Sequence, residues 1–355
     1  MRLVRHTVSL CPTCYREIPA EIYIVPGGVR MGKVCPEHGP SDGLVEKDPV
    51  FYTLVRSMDS PFIYAGYFVD VTRACNLRCE YCYYPLEKKD PEAMFDIPRV
   101  VADCAVNKQL QPFVLTGGEP TTRPDICDLI EAVQKVGSVE MLTNGVTMAD
   151  PKVYDSIVPL LLRPDGSAAI HLSIHPQAQD SAETVLQQCC DRGIKMGSCL
   201  IVIDSETQFT RAMSFVNTWQ NEVLCWRIKA ASRIWHEQKP SAAKDESGKV
   251  FVSDMLDWLD EMGGWSFIQQ PGSGNKSVFV NVRWRNSYLM LVSWHDVNNV
   301  DLLDIACAPF YRARNGEVCN FVTAGLINEG MQKGWMKGTN IQSTVRQVPQ
   351  VEALA

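Results

Sequence analysis

Cys75, Cys79 and Cys82 are spaced C-x3-C-x2-C directly after "GYFVDVT", a run of β-branched and aromatic residues. Thiolates are soft ligands suited to iron and zinc. A cluster of four irons and four sulfides normally takes four cysteine thiolates, one per iron. This loop supplies three, which would leave one iron open to a non-protein ligand, much as a catalytic zinc keeps one position for substrate. Tyr81 would then cover the cluster beside Cys82. On spacing alone, a zinc site or three buried thiols stands as the alternative. A second group reads Cys11-x2-Cys14-x20-Cys35-x2-His38, the two-knuckle spacing of a tetrahedral site. A hairpin within 15–34 would bring its halves together. The region is small and poor in large apolar residues, so a metal staple, zinc or a single iron, is expected there.

The elements that must position these groups are legible from residue 64 onward, where short apolar runs alternate with helical patterns. Six strands are expected over 65–72, 112–119, 138–145, 168–175, 194–203 and 223–231. Each is apolar enough for burial on both faces. Between them, Ile126, Leu129, Ile130 and Val133 share one helical face, Asp150-Pro151 reads as a cap and first helical residue, and a capped helix is expected from Ser181 to Gly193. Six β-α units form either an open doubly wound sheet or most of a barrel, and either way functional loops lie at the strands' C-terminal ends. The three-cysteine loop is at such an end. From Lys239, "KPSAAKDESGK" reads as a linker, and the runs flanking Arg285-Asn286 read as a β-hairpin over 278–294. The expected segments are 1–60, a Cys/His metal-binding region; 61–238, the β/α core; and 239–355, an α+β extension capping the substrate side.

The 355 residues allow a large core, with 46% hydrophobic and 21% charged residues. No run approaches the ~20 apolar residues of a membrane span. "MRLVRHTVSLCPTC" lacks the apolar core of a secretory signal, so a cytoplasmic location with reduced thiols is expected. The fourteen cysteines and the formal charge of −7 then point to metal ligation or burial rather than disulfides, and away from a nucleic-acid surface. Cys104, Cys127, Cys189, Cys190, Cys199 and Cys225 are expected as small apolar filler.

C-x3-C-x-aromatic-C after a first strand resembles the signature of the radical S-adenosylmethionine (SAM) enzymes. "LTGGEP" after the second strand is similar to that superfamily's Gly-Gly-Glu motif. Alone it would read as a turn with a solvated acid; after the cysteine loop it gains weight. The resemblance implies a partial (β/α)6 barrel and a [4Fe–4S] cluster on Cys75, Cys79 and Cys82. It further implies that Gly117, Gly118 and Glu119 hold the methionine amino group of SAM, with Ser173 placed for the ribose hydroxyls and Asn144 a further cofactor candidate. Lys229 and Arg233 are candidates for a carboxylate of the cofactor or of an acidic substrate. Catalysis would then start from an electron, from a donor such as flavodoxin or ferredoxin, that splits SAM to a 5′-deoxyadenosyl radical. The N-terminal "CPTC…KVCPEHG" is similar to the archaeal tetraether lipid synthase and related pterin-modifying radical methylases. That likeness leaves Cys11, Cys14, Cys35 and His38 to hold zinc or mononuclear iron, and offers only Cys307 and Cys319 as a further pair, read as buried thiols.

The leading expectation is hydrogen abstraction from an unactivated C–H bond for alkylation, methylation or C–C coupling of a small-molecule or lipid-like substrate. A peptide-modifying maturase is the rival within catalysis, using the edge of the 278–294 hairpin for docking. An iron–sulfur electron carrier or structural metalloprotein is the non-enzymatic rival. His295-Asp296 could be an acid–base pair, and Trp265, Phe267, Trp284 and Trp294 could form aromatic surface, with core the commoner role.

Overall fold

Alternation of apolar and polar residues folds the first 46 residues into four antiparallel strands in sequential order: β1 (Arg2–Leu10), β2 (Glu17–Val25), β3 (Gly28–Cys35) and β4 (Gly39–Glu46). The computed structural model describes residues 1–14, 16–57, 66–79, 82, 95–231, 248–268, 279–293, 298–302, 310–312 and 318–320. Tyr81, Arg233, most of the linker after Lys239, Trp294, His295, Asp296 and Cys307 lie outside these residues. One face of the small sheet buries Ile22, Val29, Met31 and Val45 against Tyr52 of α1 (Pro49–Ser57), whose Phe51 and Val55 join the main core.

That core surrounds six parallel strands, β5 (Tyr67–Thr72), β6 (Phe113–Gly117), β7 (Val139–Thr143), β8 (Ser167–Ile174), β9 (Lys195–Ile203) and β10 (Val223–Ala230). Successive crossovers carry α2 (Ile97–Val106), α3 (Ile126–Gln134), α4 (Pro151–Ile157), α5 (Gln179–Asp191) and α6 (Glu206–Thr218). The strands are neighbours in chain order without reversal, so the doubly wound alternative, which needs a switch in strand order, does not apply. The anticipated face of α3, Ile126, Leu129, Ile130 and Val133, is buried, and the Asp150 carboxylate caps α4 by accepting from the Lys152 amide. Helix α5 starts two residues before Ser181, at the end of the Pro176–Ala178 turn, without a side-chain cap.

Beyond α7 (Val252–Met262), the strands β11 (Trp265–Phe267), β12 (Phe279–Trp284), β13 (Ser287–Val292), β14 (Phe310–Arg312) and β15 (Val318–Asn320) extend the same sheet. The anticipated hairpin is β12–β13, turning at Arg285 with φ of 52°. Strand β13 pairs parallel with β10, and β14 pairs parallel with β5. Strand β11 covers Val282–Trp284 of β12, so that stretch of the hairpin is not an open edge for a docking peptide. Cys104, Cys189 and Cys199 are buried as filler, but Cys190 is exposed on α5, one residue off its apolar face, and Cys127 and Cys225 are half-buried. Trp284 is buried, while Trp265 and Phe267 pack edge-to-face. No helix among the described residues is long and apolar enough to cross a membrane.

Buried polar contacts lock the N-terminal sheet to the C-terminal segment. Thr7 donates to Asp301 at 2.6 Å, the Leu302 amide to Val8 O at 2.9 Å, and Asn299 Nδ2 to Leu44 O at 2.7 Å. Ser253 donates at 2.6 Å to Glu46, which is fully buried, and burial pushes the Glu46 carboxyl up to about 7. A carboxyl raised on folding keeps its proton in the native state where the unfolded chain has lost it, so its contribution weakens stability as pH rises from 4.5 to about 7. Denaturant unfolding of Glu46→Gln beside wild type, at pH values of about 5 and 7.5, should therefore show the difference moving in the variant's favour at the higher pH.

Candidate metal centres and cofactor site

At the N-terminal site the turn after β1 and the turn after β3 emerge at the same end of the sheet, which brings the two halves of the motif together. The ligand atoms of Cys11, Cys14, Cys35 and His38 all lie within 4.8 Å of one another. Cys14 Sγ is 3.9 Å from Cys35 Sγ, and His38 Nδ1 is 3.7 Å from Cys11 Sγ and 3.4 Å from Cys35 Sγ. A tetrahedral zinc with Zn–S of about 2.3 Å and Zn–N of about 2.0 Å has S–S edges of about 3.8 Å and S–N edges of about 3.6 Å, so the four groups fit one such ion. The Thr13 amide points at Cys11 Sγ at 3.4 Å, as knuckle amides do. Burial opposes ionisation of Cys35, but the His38 ring and the Glu37 and His38 amides outweigh it and bring its thiol down to about 6, toward the thiolate a metal needs.

The cysteine loop leaves β5 at Thr72 and runs across the C-terminal end of the parallel sheet. Two glycines set its path. A Cβ on Gly117, whose φ is 131°, would sit 2.1 Å from Thr72 O, and one on Gly118 would sit 1.9 Å from Ala74 O. The Gly118 amide donates to Thr72 O and the Glu119 amide to Ala74 O, each at 2.8 Å. The close approach these glycines allow is thus to the stem of the cysteine loop itself.

Glu119 is buried, and its carboxylate is surrounded by donors. Oε1 accepts from the Thr121 amide at 3.1 Å, the Thr121 hydroxyl at 2.6 Å and the Thr143 hydroxyl at 2.8 Å, and Oε2 accepts from the Asn144 amide at 2.6 Å. Burial raises its pKa, against the pull of those donors. Asn144 extends the connection: its Nδ2 donates to Asn76 Oδ1 at 2.7 Å and lies 3.9 Å from Cys75 Sγ. The loop thiols face donor groups, with the Leu77 amide 3.4 Å from Cys75 Sγ and Gln177 Nε2 3.1 Å from Cys79 Sγ. The Cys82 amide donates to Cys79 O at 3.1 Å, closing a turn between the second and third thiols. N–H groups aimed at sulfur suit cluster-bound thiolates. Burial raises the Cys75 thiol, and the Leu77 amide opposes it.

His175 and Gln177, just beyond β8, were not singled out by spacing, yet His175 Nδ1 lies 3.5 Å from Cys79 Sγ, and burial takes its ring down to about 4. Their only sequence signal is position after a strand end. Ser173 lies two residues earlier and is half-exposed. Lys229 is carried by β10, five strands along the sheet from β5.

Residues 69–198 match the radical SAM superfamily, and residues 3–47 match the HMPTM N-terminal zinc ribbon domain. The 7,8-dihydro-6-hydroxymethylpterin dimethyltransferase of Methanocaldococcus jannaschii is 30% identical over 179 residues, 41% of this chain and 35% of that protein. The GTP 3′,8-cyclase of Clostridium perfringens is 26% identical over 159 residues, 38% of this chain and 46% of that protein. The chain spans between a third and a half of the length of these curated relatives. The crystal structure of Streptococcus suis SuiB bound to precursor peptide SuiA superposes with a TM-score of 0.43 at 15% identity, covering 60% of this chain and 48% of that one. The core of the parallel sheet is thus similar to the radical SAM superfamily and the N-terminal sheet to a zinc ribbon domain, and the curated relatives named are enzymes. That superfamily implies a [4Fe–4S] cluster and SAM, and the ribbon implies zinc.

Glu119→Ala would strip two buried amides and two hydroxyls of their acceptor, so it should cost about 3 kcal/mol or more in stability. Because the same carboxylate holds the strand ends beneath the loop, reconstituted iron should fall with it; a shift in thermal midpoint and iron content per chain measure both. Cys14→Ala should lose zinc from the ribbon, read by metal analysis, while iron bound at the loop after reconstitution stays at the wild-type level.

Proposed function

We propose that this protein is a radical SAM enzyme that removes a hydrogen atom from an unactivated C–H bond of a small-molecule or lipid-like substrate, leading to alkylation, methylation or C–C coupling. The observation that carries this reading is the tethering of one three-thiol loop to the ends of three successive strands: Gly118 after β6, Asn144 after β7 and His175 after β8. Cys75, Cys79 and Cys82 would hold the cluster. When bound, cluster and cofactor would supply an electron from an external donor and a 5′-deoxyadenosyl radical that takes the hydrogen atom.

The protein's own part is to bind and orient. Glu119 Oε1 is occupied by three donors, whereas Oε2 has the Asn144 amide, so Oε2 is the oxygen suited to accept from the methionine ammonium. Ser173 faces the same mouth for the ribose hydroxyls. Sequential strand order supports a partial (β/α)6 barrel, with segments 1–60, 61–238 and 239–355 as ribbon, catalytic core and substrate-side extension. The ribbon's four ligands close a coordination sphere and suit a structural zinc. The relative named as a dimethyltransferase, matched at 30% identity, favours methylation among the outcomes.

Anaerobically reconstituted protein given strong reductant and SAM should form 5′-deoxyadenosine slowly without substrate, and chromatography measures it. An intact, reduced cluster that yields none would overturn the reading. With a substrate deuterated at the reacting carbon, deuterium should appear in the 5′-deoxyadenosine.

A further inference from the structure

Strand β10 alternates Trp226 and Ile228 with Cys225, Arg227 and Lys229. Trp226 packs edge-on against Phe215 of α6 at 6.0 Å, so Arg227 and its alternates point to the face turned away from the helices. Register puts Arg227 opposite Leu200, and Leu200 opposite Ser173. Arg227 thus shares a row with Ser173, two strand spacings or about 10 Å along the sheet. The cysteine loop leaves from β5, three strands further on.

Two guanidinium nitrogens of Arg227, Nε and Nη2, are buried without a hydrogen-bond partner. Its charge acts on His171, Cys199, Cys225 and Lys229, none of them a carboxylate. Glu140, on the same face, is already engaged: Arg163 Nη2 donates to it at 2.7 Å and His171 Nε2 lies 2.6 Å away. Lys229, next on that face, is half-buried, and its ammonium is pushed well down by burial and by Arg227. Guanidinium N–H groups buried without an acceptor are costly unless an anion completes them. A planar fork with free N–H groups is the group that grips a carboxylate or phosphate in bidentate fashion.

We propose that Arg227 anchors an anionic group, a carboxylate or phosphate, of the substrate, across the sheet mouth from the cysteine loop. This assignment of substrate class rests on the radical reading above. The test uses the full-length, reconstituted protein and inorganic phosphate, at ionic strength matched with chloride. Phosphate should raise the thermal midpoint of wild type by several degrees, and Arg227→Met should lose at least tenfold in phosphate affinity. Without phosphate, Arg227→Met should melt higher than wild type, because an uncompensated buried charge has gone; an arginine with a structural role would give a lower midpoint. Arg227→Lys keeps the charge without the fork and should bind phosphate about tenfold more weakly. SAM and phosphate should stabilise wild type additively. Competition between them would assign Arg227 to the cofactor's own carboxylate and overturn the proposal, as would an undiminished phosphate response in Arg227→Met. The two readings fail separately: a phosphate response that depends on Arg227, in protein that forms no 5′-deoxyadenosine, removes the radical chemistry and leaves the anion site.

Discussion

The carboxylate of Glu119 sits where three pieces of chain must meet. It accepts from Thr121 in its own turn and from Thr143 and Asn144 at the end of the next strand. Its own amide holds Ala74 O in the cysteine loop. A buried charge is tolerated only when its lone pairs are filled, so these strand ends are bound to one geometry. The loop inherits that geometry through Asn144, which reaches both Asn76 and the Cys75 sulfur. Gly117 and Gly118 are the steric condition for the same contact, because any Cβ there would occupy the space of the Thr72 and Ala74 carbonyls. The three-thiol loop is therefore mounted on the sheet end rather than hung from it.

The parallel sheet is two-sided in a chemical sense. Its helix side is packed with apolar residues such as Met141, Ile170, Leu172, Cys199 and Trp226. The other side carries the chain Arg163–Glu140–His171–Ser198, in which Ser198 Oγ lies 2.7 Å from His171 Nδ1. Burial pushes the His171 imidazole down, while the His171 and Arg163 contacts outweigh burial at Glu140 and bring its carboxyl down to about 2. The His171 imidazole between a carboxylate and a hydroxyl has a hydrogen-bond partner at each nitrogen. Beyond this chain of contacts the same face presents Ser173 and Arg227 at the level of the cysteine loop, where fewer partners are built in.

The zinc ribbon solves a different problem. Its four short strands bury a small cluster around Met31 and Tyr52, too little to hold the sheet alone. Four candidate ligands lie within 4.8 Å of one another, where a metal would fasten one end, and Glu46, Thr7 and Leu44 fasten the sheet to Ser253, Asp301 and Asn299. The ribbon and the C-terminal segment thus depend on each other across more than 200 residues of sequence.

The amino-acid sequence alone determined what short-range geometry controls. Two metal-binding motifs follow from thiol and imidazole spacing, and six β-α units follow from apolar periodicity, because ligand reach and side-chain alternation are local properties of the chain. The Gly-Gly-Glu turn was also legible, and its resemblance to the superfamily motif implies a hold on the cofactor's amino group; the fold adds that a Cβ on Gly117 or Gly118 would strike Thr72 O or Ala74 O. Only the tertiary structure decided which donors fill Glu119, that His175 stands beside Cys79, that β11 covers part of the hairpin edge, and that Arg227 faces away from the helices with Nε and Nη2 unsatisfied. Apart from the donors in Glu119's own turn, these contacts join residues tens of positions apart. Their complementarity is set by strand order and register, and those leave no period or spacing in the sequence to read.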